Sequence, residues 1–211
     1  MEFSKYIVPI YAGSTLIGSG VLHNSLLVTA AHVVDFCIRG RNFAFQYNSK
    51  VYILGWKDKL FFEYDEIKRG TYRDLAIFKT KIDIKGLSFE SEELYDGETA
   101  SLYGYYDNND GNLLINQSRG LVRLKPFWDE KMKINIAINK NSFLLMDISK
   151  VYECNSGCPL LLNDRIIGIL SGGNQDYNYC RFISSSHIID ILSNFILLLA
   201  YEQRFNHIPK Y

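Results

Sequence analysis

The sequence predicts an all-β protein on three observations: many short apolar runs, an aromatic and β-branched bias within them, and turn residues between them. Runs at 6–12, 17–23, 25–31, 41–47, 50–56 and 74–80 are rich in Tyr, Val, Ile, Leu and Phe and are separated by Asn, Asp, Ser and Gly. A second series follows at 98–106, 111–117, 120–126, 133–139, 142–148, 158–164, 165–173 and 179–185. Aromatic residues make up 14% of the 211 residues, with 15 Tyr and 13 Phe, a bias that suits pleated, half-buried strands better than helices. Antiparallel barrels and a sandwich both satisfy the pattern.

A polar stretch, SFESEELYDGE (88–98), separates the two series and is the one plausible linker. It places a first unit at 1–90 and a second at 91–211. Only the end of the chain reads as a helix, at about 186–204, where Ile188, Ile191, Leu192, Phe195 and Leu199 recur at helical spacing. Ser185 or Ser186 supplies the N-cap, and Asp190 falls in the first turn, where a carboxylate suits the helix dipole. The polar positions of this segment are not enriched in Lys or Arg, so it reads as packing on the barrel rather than lying on a membrane surface.

Composition narrows the functional classes. Lys+Arg and Asp+Glu balance at 23 each, so no global charge points to nucleic acid or an anionic membrane. Hydrophobic residues at 47% and charged residues at 22% are those of an ordinary globular chain. The apolar stretch around 191–201 is too short to span a bilayer. The N-terminus lacks a basic n-region and an unbroken apolar core, so the four cysteines, Cys37, Cys154, Cys158 and Cys180, read as free thiols of a soluble, cytoplasmic protein. Cys154 and Cys158 are four apart with no matching second pair, which argues against a zinc site; no metal or cofactor is expected.

Three local patterns carry chemistry. The segment TAAHVV sets His32 at the end of an apolar strand, RDLAIFK opens another strand on Asp74, and NSGCPLLLNDRIIGILSGG sets Ser156 in a small-residue turn before a hairpin. Each alone has an ordinary structural explanation. Together, in the order His, Asp, Ser, they resemble the histidine, aspartate and serine motifs of the trypsin/chymotrypsin family. YDGETASLYGYY resembles the start of that family's second barrel, and GLVR a later strand there. The likeness runs from about residue 6 to the terminal helix and is nearest in motif to the bacterial stress-protease and glutamyl-endopeptidase branches.

The resemblance implies two antiparallel six-stranded barrels with the site in the cleft between them. It implies a serine endopeptidase in which Ser156 attacks, His32 takes its proton, and Asp74 holds the imidazole tautomer. The oxyanion donors would be the N–H groups of Cys154 and Ser156. Substrate would lie along Ser171, Gly172 and Gly173, with Lys150 near the base of the specificity pocket. Cys154 stands where the family usually has glycine, and Cys158 replaces a second one, so the oxyanion loop is expected either to form differently or to close on substrate. Asn155 stands where members activated by pro-segment trimming carry Asp, so that mode of control is not expected. The implied partner is a protein or peptide substrate; an activating protein partner is expected as the control of a protease in a cytoplasm, and neither nucleic acid nor membrane is expected. The alternative is a protein-binding module that kept the triad letters without a working oxyanion hole.

Overall fold

The computed structural model describes residues 3–68, 71–84, 88–91, 93–108, 112–129, 134–136, 138, 141–148, 151–174 and 179–205. Lys150 lies outside the described residues. In the first half, strands run β1 (Ile7–Ala12), β2 (Thr15–His23), β3 (Leu26–Thr29), β4 (Phe43–Tyr47), β5 (Lys50–Leu54), β6 (Lys59–Lys68) and β7 (Thr71–Lys79). In the second they run β8 (Thr99–Asp107), β9 (Leu113–Arg123), β10 (Phe127–Asp129), β11 (Ile134–Ile136), β12 (Ser142–Met146), β13 (Pro159–Leu162), β14 (Arg165–Asn174) and β15 (Tyr179–Ser184). One helix, α1 (Ser185–Phe205), follows.

Local turn chemistry sets much of this order. β2–β3, β4–β5 and β13–β14 are joined by Asn24–Ser25, Asn48–Ser49 and Asn163–Asp164, with φ between 47° and 66° at every one of these positions. Two successive residues at positive φ make the turn whose twist matches paired strands, and Asn and Asp tolerate that region best after glycine. Each turn therefore closes an antiparallel hairpin, with Leu22 opposite Leu27, Phe45 opposite Tyr52 and Leu161 opposite Ile166.

The second half closes as the expected six-stranded barrel, in the ring order β12-β15-β14-β13-β8-β9. The first half is a sheet of seven strands, β5-β4-β1-β2-β3-β7-β6, one more than the resemblance implied. The sequence-based strands omitted β6, which pairs along β7 from Lys59 to Lys68. A separate pair, β10–β11, stands apart from both sheets.

Each half encloses its own core. Val8, Ile10, Leu22, Leu27, Phe43, Phe45 and Phe78 fill the first, and Leu102, Val122, Phe143, Leu145, Leu160 and Phe182 the second. A third cluster joins them, with Val21, Val28, Leu75 and Ile77 from the first sheet packed on Ile166, Ile169, Ile183 and Ile188. β3 and β7 are thus buried on both faces, which explains why their sequences are nearly unbroken apolar runs.

The helix starts one residue earlier than expected. Ser184, not Ser185 or Ser186, caps it, its Oγ accepting the His187 N–H at 3.3 Å. Ser185 instead donates its hydroxyl to the Glu90 carbonyl, tying the helix to the segment between the sheets. With Ser185 as the first helical residue, Asp190 lies in the second turn, and no acidic residue occupies the first. Among the described residues, no helix is long and apolar enough to cross a membrane.

Candidate active site

β3 delivers the chain through Ala30 into a short 3-10 turn, Ala31–Val33, which carries His32. β7 runs antiparallel beside β3, Thr29 opposite Ala76, and so brings Asp74 under the turn. The carboxylate is 2% exposed and grips the histidine at two points. Asp74 Oδ1 accepts the His32 backbone N–H at 2.7 Å, and Oδ2 lies 2.7 Å from His32 Nδ1. Ser171 Oγ, from β14 in the other barrel, donates to the same Oδ2 at 2.5 Å. A buried carboxylate without donors would be costly; here three donors satisfy it and fix its orientation. With Nδ1 committed to Asp74, Nε2 is the imidazole nitrogen left to do chemistry, on a side chain about one-third exposed.

The Ser156 turn reaches this corner by close backbone contact. Ser19 N–H donates to the Ser156 carbonyl at 2.8 Å, and Ser19 Oγ donates to the Cys154 carbonyl at 3.1 Å. Tyr105 N–H in turn donates to Ser19 Oγ at 3.1 Å, so one fully buried serine of the first sheet binds two segments of the second half. Gly157 has φ 84°, and a Cβ there would come within 2.1 Å of the Ser19 carbonyl and 2.2 Å of Thr29 Oγ1. Only glycine fits. Gly18 is equally confined: a Cβ on it would meet Val33, next to His32, and the Ser156 carbonyl at 3.0 Å. Ser156 and His32 therefore share one corner. Among the described residues, no hydrogen bond joins Ser156 Oγ to the imidazole.

The segment before Ser156 forms a 3-10 turn, Glu153–Asn155, with Asn155 N–H bonded to the Tyr152 carbonyl at 2.9 Å. Cys154 sits inside this right-handed turn and is not among the positive-φ residues. A residue with a β-carbon is thereby accommodated without strain, so the loop forms in its own way. In an i→i+3 turn the Glu153 carbonyl points toward the Ser156 N–H, one of the two expected oxyanion donors. The Cys154 thiol, half-buried, lies 3.5 Å from the Leu16 carbonyl.

Asn155 is fully buried and wired at both ends. Its Oδ1 accepts the Tyr152 N–H and its Nδ2 donates to the Tyr105 carbonyl, both at 2.9 Å. This amide holds the turn with partners from within the chain. Tyr106 stacks on Tyr152 with ring centroids 4.1 Å apart, and Tyr11 and Tyr105 have phenol pKa values raised first by burial. Ser19, Thr29 and these tyrosines carry no motif of their own, and only their tertiary contacts mark them.

Ser171 and Gly172 lie where β13 has left β14: their register ends at Pro159 opposite Ile169, while β14 stays with β15 as far as Asn174 opposite Tyr179. Ser171 is 1% exposed, so its side chain serves Asp74 and only its backbone remains for a ligand. Among the described residues, no group of three His, Cys, Asp or Glu side chains is placed to hold a metal ion.

Compared with solved structures, the chain matches the Rv3671c protein of M. tuberculosis H37Rv in an inactive form with TM-score 0.61, over 90% of this chain and 86% of that one, at 18% identity. It matches kallikrein-related peptidase 10 with TM-score 0.64 over 91% and 95% of the two chains at 15% identity. A Glu endopeptidase matches with TM-score 0.64 over 90% and 89%, also at 15% identity. This is the trypsin/chymotrypsin-like serine protease fold. No family model matches the sequence, and no curated protein matches it. His32 lies in the turn after β3, Asp74 in β7 and Ser156 in the turn before β13.

Proposed function

We propose that the protein is a serine endopeptidase that hydrolyses peptide bonds of intracellular protein substrates through Ser156, His32 and Asp74. The observation that carries this reading is the two-point clamp of Asp74 on His32, completed from the other barrel by Ser171. A purely structural histidine needs no carboxylate bonded to both its backbone and its ring. Asp74 holds the proton on Nδ1, leaving Nε2 to take the Ser156 proton during attack and return it to the leaving amine. Substrate adds as a strand beside Ser171, Gly172 and Gly173, where β13 no longer reaches. Lys150 is proposed near the base of the specificity pocket, favouring an acidic residue before the cut.

The oxyanion donors are the N–H groups of Cys154 and Ser156. To present both, the Glu153–Cys154 peptide turns over and the 3-10 turn unwinds, a step that substrate or an activating protein partner supplies. Each donor is worth about 3–4 kcal/mol of barrier, so the resting turn holds the enzyme back without dismantling it.

A fluorophosphonate probe tests the reading. Wild-type protein should be labelled on Ser156, alone or after adding a partner; Ser156→Ala should abolish labelling and peptide cleavage with the fold intact. Full cleavage by Ser156→Ala would show that another residue attacks. The 3-10 turn favours a second reading, a protease-fold protein-binding module. One fold neighbour is a mutant of human heparin binding protein, with TM-score 0.64 at 11% identity. Persistent failure of the wild type to label would favour that alternative.

A further inference from the structure

The two antiparallel strands that lead to the His32–Asp74 pair in one direction meet a cavity in the other. Leu26 opens β3 and lies opposite Lys79, which closes β7. Around this end of the strands, the Asn24–Ser25 turn, the Ser88–Phe89 segment and the first half of α1 enclose a space of about 470 Å³. Its walls are apolar, formed by Leu26, Leu60, Phe89, Ile189, Leu192 and Phe195. That volume lies within the range of roughly 300–1,000 Å³ typical of small-molecule sites.

Among the lining residues Lys79 carries the one permanent charge; His23 and Asn24 also line the space, and the Ser88 hydroxyl donates to the Glu90 carboxylate at 2.6 Å. Lys79 stands at the mouth, exposed, and no Asp or Glu lines the cavity. Among the described residues, Lys79 has no carboxylate partner. The hydroxyls of Ser25 and Ser193 also line the cavity and can donate hydrogen bonds. An apolar interior with a cation at its rim suits a ligand with an apolar tail and an anionic head. A neutral ligand would leave the ammonium unused, and a cationic one would meet repulsion.

We propose that this cavity binds a single-chain amphiphile with a carboxylate head, the acyl chain against Leu26, Phe89 and Leu192 and the carboxylate on Lys79. The proposal stands independently of the protease reading, because no residue of it belongs to the Ser156 site.

The test is calorimetric titration of the full chain with decanoate, decanol and decyltrimethylammonium, each below its micelle concentration. Decanoate should bind roughly tenfold more tightly than decanol, and affinity should rise about fourfold per added methylene until the cavity is full. Lys79→Glu, on an exposed side chain, should reverse the preference toward the trimethylammonium probe. Leu192→Trp should fill the space and abolish binding of all three. No binding by decanoate, equal binding of the three heads, or an unchanged preference in Lys79→Glu would overturn the proposal. Because Lys79 is exposed, Lys79→Glu tests the head-group preference whether or not Leu192→Trp folds.

Discussion

Removing a single hydroxyl, Ser19→Ala, should weaken the joint between the two halves by about 2–4 kcal/mol. Ser19 Oγ accepts the Tyr105 N–H and donates to the Cys154 carbonyl, both at 3.1 Å, in a residue that is fully buried. The substitution leaves a donor and an acceptor without partners, and each such loss costs about 1–3 kcal/mol. The lower end applies to Cys154, whose turn is partly exposed. For a chain of this length the total corresponds to a fall in Tm of roughly 4–16 °C. The Ser19 backbone bond to Ser156 and the Gly157 N–H bond to the Leu170 carbonyl, at 2.8 and 2.7 Å, survive the change. Fluorophosphonate labelling of the folded variant should therefore slow by no more than about tenfold, the equivalent of about 1.4 kcal/mol. Differential scanning fluorimetry and labelling kinetics measure the two effects separately. A Tm within 2 °C of wild type, by this ~2–4 °C per kcal/mol scale, would refute the claim that Ser19 ties the halves together.

Cys154→Gly should speed labelling at least several-fold if the β-carbon helps hold the 3-10 turn; unchanged kinetics would place the barrier elsewhere. Denatured, non-reduced protein should titrate with four free thiols, whereas under native conditions Cys154 alone should react with iodoacetamide, since Cys37, Cys158 and Cys180 are buried; native alkylation of Cys180 would contradict this packing. Burial raises the thiol pKa of Cys37 to about 11 and of Cys180 to about 12, and that of Cys158 well above its ordinary 9.0. The folded state thus keeps protons that the unfolded chain gives up, so stability should be level below about pH 9 and decline between roughly pH 9 and 12. Urea midpoints against pH should show this slope, and Cys180→Ala should flatten it; an unaltered slope would point to other groups.

The hairpins were legible because Asn-Ser and Asn-Asp pairs sit between apolar runs, and both the turn and the register follow from them. β6 was not, because Glu63, Asp65 and Glu66 interrupt its apolar residues, as charged residues do in strands at the edge of a sheet. His32, Asp74 and Ser156 stand out in the sequence because their motifs are local. The resemblance sets Ser171 along the substrate with Gly172 and Gly173, yet its hydroxyl belongs to Asp74, a contact across 97 positions that no local pattern reports. The conformation at Cys154 was left between two outcomes, since a β-carbon excludes glycine's backbone region without selecting what replaces it. Asp190 falls outside the first turn because Ser184, not one of the following serines, caps the helix.

The ring order of the second barrel bears on the chain during its own synthesis. β15, the last strand to be made, sits between β12 and β14, so the barrel cannot close until Tyr179–Ser184 has emerged. His32 and Asp74 are translated first and can pair early, but Ser171 and the Ser156 turn reach them only from the second half. On the proposed function, a chain cut short before β15 would carry the His32–Asp74 pair without a positioned Ser156. The order of the strands is itself a delay: the corner that holds His32 and Asp74 is completed only by segments made in the second half.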